Sequence, residues 1–320
     1  MNVTLYAIAK NEEKNLERFL KNAEKFDDVV VVDTGSTDNT VQLLKDAGIS
    51  VYEHPQTREE FDFALARNTA LSYVTTDWAF SLDFNEDVDE FIADGLDPIE
   101  SEFTVFKHLR FDDNGEDEPT QSFEVHNRFH RTANYKWVNA VHEMPQFVST
   151  EKFQEESSVD TTIKITKRLQ KSLDKELFYL SICEREHEKD PSNEFYIWFI
   201  FNHYLSVSNF PKALEFGQEY LSHSTAYFNP FRIEVFLRCS IILLQTNNIQ
   251  MGVNYCIHAL SESLNFGGEL MQKCFAHLLN LGLNIGDPNI ITFASSVSEE
   301  FKNLPERKSA IEQLYNEIKE

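Results

Sequence analysis

Four consecutive valines, Val29 to Val32, constrain this chain more than any other stretch, because apolar β-branched residues without alternation suit a strand buried on both faces. Such a strand belongs in a parallel sheet with helices on either side. The run ends in Asp33-Thr34-Gly35-Ser36-Thr37-Asp38-Asn39-Thr40, a glycine-containing turn with hydroxyl residues able to cap a helix to about Ala47, where Gly48 stops it. Val3 to Ala9 reads as a preceding strand, and Ile49 to Glu53 and Trp78 to Leu82 as later ones. Helical periodicity fills Asn11 to Lys25 and Arg58 to about Val74. Alternating units of this length predict an α/β fold, an open and mostly parallel sheet flanked by helices.

Ligands of such sheets bind at the carboxyl ends of the strands, near the point where strand order reverses. Three polar clusters fall there: Lys10-Asn11-Glu12-Glu13, Asp33 to Asp38, and Asp83 to Asp87. In the last, an apolar run stops abruptly in Asp83, Asn85, Glu86 and Asp87, whose hard oxygen atoms suit Mg²⁺ or Mn²⁺. The alternative is that Asn85, Glu86 and Asp87 cap and charge the first turn of a following helix.

Beyond Asp97-Pro98 the pattern changes. Phe103 to Phe111 and Phe123 to Arg131 read as paired strands joined by an acidic, solvated loop, Asp112 to Pro119. A strand near Tyr135 to Val138 leads into Asn139-Ala140-Val141-His142-Glu143, a further acidic-plus-histidine cluster. From about Lys167 the chain reads as all-helical. The segments starting at Asn209 and Asn248 resemble each other at an offset of 39 residues, each after an apolar helix, which predicts helix-hairpin repeats. The expected organisation is a sheet domain over residues 1–150, a linker over 151–169 and a helical repeat domain over 170–320. The basic stretch Lys164 to Lys175 is expected as a hinge helix.

Charge narrows the partners. The chain carries 29 Lys plus Arg against 53 Asp plus Glu, a net −24, and repels polyanions at long range. The densest basic exception is His126, Arg128, His130, Arg131 and Lys136, a candidate local phosphate contact. No apolar run approaches the roughly 20 residues that span a bilayer, and the first residues lack a basic leader with an apolar core, so cytoplasmic residence is expected. Cys183, Cys239, Cys256 and Cys274 are widely spaced in apolar contexts and read as buried free thiols.

Five elements in order, Ala9-Lys10-Asn11-Glu12-Glu13, Val31 to Thr40, Ala64 to Asn68, Asp83-Phe84-Asn85-Glu86 and His142-Glu143, give residues 1–145 a specific resemblance. It is to the family 2 glycosyltransferases of the GT-A fold, in a subgroup whose members sometimes carry helical repeats after the catalytic domain. The resemblance implies a metal-dependent, inverting transfer of a sugar from a nucleoside-diphosphate sugar, UDP first among them. Asn11, Glu12, Asp33, Asp38, Arg67 and Asp83 would bind the donor. Asp33 is suited to the uracil N–H or to its own turn before Gly35, Asp38 or Glu12 to a ribose hydroxyl, and Arg67 to the diphosphate or to an ion pair with Glu60 or Asp62. Asp83, Asn85 and His142 would hold Mn²⁺ or Mg²⁺, with Asn85 standing where the family usually has an aspartate. Glu143, or else Glu86, would be the base. The acceptor stays open among a protein side chain, a glycan, a lipid-linked sugar and a hydroxymethylated base in DNA. The helical repeats would bind that acceptor or a second subunit. The competing expectation is a decayed site on a chain acting through its repeats.

Overall fold

The computed structural model describes residues 2–90, 105–113, 120–148, 157–168, 172–223, 230–263 and scattered positions between 271 and 286. The chain divides into two compact units, Met1–Ile182 and Cys183–Glu320.

The first unit is built on an eight-stranded sheet. Its strands are β1 (Val3–Ala9), β2 (Asp28–Asp33), β3 (Ser50–Glu53), β4 (Trp78–Ser81), β5 (Glu86–Glu90), β6 (Val105–Asp113) and β7 (Thr120–Arg131). A small antiparallel pair follows, β8 (Tyr135–Val138) with β9 (Met144–Phe147), and then β10 (Ser157–Arg168), which returns to the large sheet. The order is β3-β2-β1-β4-β7-β6-β10-β5. The first four strands are mutually parallel, β6 and β10 are parallel, and β7 and β5 run antiparallel to their neighbours.

The valine run sits second from the β3 edge, between β1 and β3, and both of its faces are covered. Val29 and Val31 pack with Val3, Leu5, Ala7, Leu16 and Phe19 on one side. Val30 and Val32 pack with Tyr6, Ala64, Ala70 and Leu71 on the other. The first side is covered by α1 (Leu16–Ala23) and α2 (Thr40–Asp46), the second by α3 (Phe63–Leu71). The helices are shorter than their periodicity predicts. A 3-10 turn occupies Glu13–Asn15 before α1, and α3 begins only where Asp62 caps it, its side chain accepting from Leu65 N at 2.8 Å.

Two expectations are corrected here. The residues after Asp83 do not cap a helix: Glu86–Glu90 is a strand, held by Asn22 of α1, whose side-chain amide donates to Glu86 O at 3.0 Å and accepts from Val88 N at 3.1 Å. Nor is 151–169 a linker or Lys164 to Lys175 a hinge helix, since Ser157–Arg168 lies between β6 and β5, and helix resumes at Leu173. Alternating β-branched residues, Val159, Thr161, Ile163 and Ile165, account for the strand. Of the acidic loop expected at Asp112 to Pro119, the first two residues end β6 and the rest lie outside the described residues.

Helix α4 (Leu173–Lys189) crosses the boundary between the units. In the second unit, α5 (Glu194–Ser206), α6 (Phe210–His223), α7 (Pro230–Gln245) and α8 (Ile249–Ser263) follow one another. The α5–α6 and α7–α8 turns repeat bond for bond at the offset of 39 residues. Asn209 N donates to Tyr204 O and Asn248 N to Leu243 O, both at 2.8 Å. Ser208 and Asn247 occupy the same left-handed position, at φ 59° and 61°. The four cysteines are buried free thiols. Residues 291–320, expected as helical, lie outside the described residues. Among the described residues no helix is long and apolar enough to cross a membrane.

Candidate active site

Strand order reverses at β1, whose neighbours are β2 and β4, so the carboxyl ends of these strands form the cleft where a ligand is expected. The β2 end is a tightly braced loop. Asp33 is 3% exposed, its Oδ2 accepting from Gly35 N and Ser36 N, both at 2.9 Å, and its Oδ1 from the Ser36 hydroxyl at 2.5 Å. Gly35, at φ 109°, supplies the backbone conformation this turn needs.

The β1 end interlocks with that loop. Asn11, left-handed at φ 58°, accepts at Oδ1 from Thr37 N at 2.7 Å and Asp38 N at 3.3 Å. Glu12 N donates to the Thr40 hydroxyl at 2.8 Å, and Asp38 Oδ1 accepts from the same hydroxyl at 2.6 Å. Burial, and then the nearby Asp83 and Asp38 carboxylates, push the Glu12 carboxyl above its ordinary range, although Asn15 donates to it. These residues therefore build the rim of the cleft.

At the β4 end the chemistry concentrates. Arg67 of α3 is 4% exposed and faces inward, with its nitrogens committed: Nε to Glu143 Oε1 at 2.7 Å, Nη1 to the Ser81 hydroxyl at 3.1 Å, and Nη2 to Asp83 Oδ1 at 2.6 Å. Its Cζ lies 4.7 Å from the Trp137 ring centroid. Neither expected surface partner, Glu60 or Asp62, is used; Asp62 caps the helix instead. Burial disfavours the charge of Arg67, but the Asp83 and Glu143 carboxylates more than offset it and raise its pKa.

The next residue of the motif, Asn68, fixes the segment that carries Glu143. Its amide donates to Trp137 O at 2.9 Å and accepts from Trp137 N at 2.8 Å, as a neighbouring strand would. Phe63 N adds a bond to Ala140 O at 2.8 Å. Ala140 and Val141 are buried between two left-handed residues, Asn139 at φ 70° and His142 at φ 54°, a conformation that costs of order 1 kcal/mol each outside glycine. His142 packs edge-on against Tyr179 at 5.6 Å.

Two residues of this cluster were not assigned to it from the sequence: Arg128 of β7, expected in a basic patch, and Lys167 of β10, expected in a hinge helix. Lys167 Nζ lies 3.1 Å from Asp83 Oδ2 and 3.2 Å from Glu86 Oε1. Arg128 pairs with Glu86 Oε2 and lies 3.7 Å from Asp83 Oδ2. Glu86 is 1% exposed, and its Oε2 also accepts from Asp83 N at 2.9 Å. Burial pushes the Asp83 carboxyl up, but Arg67, then Lys167 and Arg128, hold it well below the usual carboxylate range. The signal available in the sequence was alternation: in β7, Arg128 and His130 share a face.

That alternation also removes the expected basic patch. Arg128 is buried at the acidic cluster, and His130 is fully buried on Tyr6, whose hydroxyl is 2.9 Å from Nε2. Arg131 lies over Trp78. Lys136 is exposed, and the side chain of His126 lies outside the described residues.

The donor set expected for a divalent cation does not match this arrangement. Both oxygens of Asp83 face cationic side chains, Glu86 is enclosed by two more such contacts, and Asn85 brings no charge. A divalent ion at Asp83 would be placed beside three like charges.

Residues 4–148 match the sequence profile of glycosyl transferase family 2. A glycosyltransferase of Rickettsia typhi is 26% identical over 110 residues, 34% of this chain and 36% of that protein. A TPR repeat-containing protein of Synechococcus elongatus is 34% identical over 87 residues, 27% of this chain and 21% of its own. The glycosyltransferase SunS of Bacillus subtilis is 30% identical over 82 residues, 25% of this chain and 19% of its own. The chain thus spans between about a fifth and just over a third of these relatives. Among solved structures, S. aureus TarS 1-349 in complex with UDP aligns over 94% of this chain and 92% of its own at 12% identity, with a TM-score of 0.41. Glucosyl-3-phosphoglycerate synthase from Mycobacterium tuberculosis, in complex with Mn²⁺ and UDP, aligns over 34% of this chain and 44% of its own at 18% identity, with a TM-score of 0.27. Residues 4–148, which contain Asp33, Arg67, Asp83 and Glu143, are thus similar to glycosyl transferase family 2.

Proposed function

We propose that this domain transfers a sugar from a nucleoside-diphosphate sugar, UDP-linked, to a nucleophile on an acceptor, with inversion at the anomeric carbon. The observation that carries this reading is Arg67: one buried guanidinium holds Asp83 at the β4 end and Glu143 after β8, so a strand-end carboxylate and a candidate base face one cleft.

Glu143 is the base. Arg67 occupies Oε1, and among the described residues Oε2 makes no hydrogen bond, which leaves it to take the acceptor proton. The acceptor oxygen, or another nucleophilic atom, then forms its bond to the anomeric carbon as the bond to the diphosphate oxygen breaks and the nucleotide departs. Glu86 is a poor alternative, because it is almost fully enclosed by Arg128 and Lys167. Asp33, Asp38, Asn11 and Glu12 shape the nucleoside side of the cleft. The carboxylates keep acceptor lone pairs for uracil and ribose only beyond the bonds they already make.

The Mn²⁺ or Mg²⁺ expected from the sequence at Asp83, Asn85 and His142 has no part in this reading, because Asp83 already faces three cations. The acceptor class remains a protein, a glycan or another polymer, and the helical unit is the expected place for it to dock. A panel of nucleotide sugars, with released nucleotide identified by mass spectrometry, tests the donor. UDP released from at least one UDP-sugar is the expected result, and no nucleotide released from any donor overturns the reading.

A further inference from the structure

The basic stretch between Lys164 and Lys175 delivers charge to the cleft through Lys167. Three cations surround Asp83 and Glu86, and they differ in access: side-chain exposure is 5% for Arg67, 10% for Arg128 and 19% for Lys167. The two arginines are the more buried, so Lys167 is the cation a ligand meets. It comes from the C-terminal part of β10, where the register places it beside Glu86. Eight residues on, Lys175 opens α4, and its Nζ lies over the Tyr179 ring at 5.4 Å.

Lys175 is coupled electrostatically to Lys167, Asp83 and Glu12. Burial, and then the like charge of Lys167, push its ammonium below the ordinary value. The Tyr179 ring under Lys175 is the one His142 packs against at 5.6 Å, next to Glu143, so Lys175 and Lys167 border the same group of carboxylates. Each offers three donors, and lysine binds phosphate as a point charge.

Taking the donor reading above as its basis, we propose that Lys167 and Lys175 seat the diphosphate of the nucleotide sugar, neutralising it where the sequence alone assigned Mn²⁺ or Mg²⁺. The charge developing on the leaving diphosphate is then met by fixed ammonium groups, an electrostatic role of the kind that lowers transfer barriers. The acidic pair Asp83 and Glu86 holds Lys167 in place and is not available as an open cation site.

The test is calorimetric titration of the full chain with UDP, once in EDTA and once with Mn²⁺. Wild type is expected to bind in EDTA, with affinity changed little by Mn²⁺. Lys167→Met and Lys175→Met are each expected to weaken binding in EDTA by about tenfold or more, the loss of one charge-assisted contact, and Lys167→Arg and Lys175→Arg to restore most of it. Removing Lys167 leaves Glu86 short of a partner, so thermal unfolding is followed in parallel. The paired variant Glu86→Gln/Lys167→Met, which removes both charges, replaces Lys167→Met if the single variant does not fold. Binding of UDP by wild type only with Mn²⁺ overturns this proposal alone, as do methionine variants that bind like wild type. Absence of UDP binding in both conditions overturns the donor reading together with it.

Discussion

Arg67 sets the geometry of the cleft residue by residue, since it is the shared partner of Asp83 and Glu143. Replacing it by methionine leaves two carboxylates, 21% and 14% exposed, without their common counter-charge. Arg67→Met is expected to lower unfolding free energy by about 3–5 kcal/mol, read by urea denaturation; a loss under about 1 kcal/mol contradicts the buried-pair account. Behind it, Trp137 Nε1 donates to the Tyr6 hydroxyl at 2.8 Å, and that hydroxyl donates to His130 Nε2, a tautomer assigned from the contact of Nδ1 with Arg131 O. Burial lowers the His130 pKa to about 4, below its value of about 6.5 in the unfolded chain. Between those values the unfolded chain binds more protons, so stability rises with pH across that window and is lost as pH falls from about 6.5 toward 4. The loss reaches about 3 kcal/mol by linkage, and His130→Gln is expected to flatten that slope in chemical denaturation series at several pH values. The types of residue at the site were legible in sequence because they close strands. Their partners were not: Asp33 engages its own turn, and Arg67 turns inward to carboxylates 16 and 76 positions away, which local spacing does not encode.

At the scale of elements, the strands that alternate with helices were readable because a run such as Val29 to Val32 has one stable environment. β10 was missed because its basic residues and its place between two domains resemble a hinge, while its alternation was present throughout. The helices of the second half were readable through their apolar spacing. Their packing adds one sharp constraint, Gly217 of α6, where an added Cβ would lie 2.5 Å from Cys239 Sγ and 3.0 Å from Phe201 Cε2. Gly217→Ala is expected to destabilise the second unit by about 1–3 kcal/mol despite the better helix propensity of alanine. A thermal midpoint equal to or above wild type would show that α5 and α7 give way at that point.

For the whole molecule, a net charge of −24 and the burial of Arg128 and His130 leave little to attract a polyanion. In a gel-shift series, duplex DNA is expected to stay unbound even at low salt, and a salt-sensitive complex would return a modified base to the acceptor classes. The central claim is sugar transfer with Glu143 as base, and one comparison tests it most directly. Wild type and Glu143→Gln are incubated with the UDP-sugar turned over best, with UDP release followed by mass spectrometry and UDP affinity measured alongside. The account predicts that Glu143→Gln binds UDP like wild type and releases it at least about a hundredfold more slowly, the range for loss of a general base. Equal release by the two proteins would contradict it.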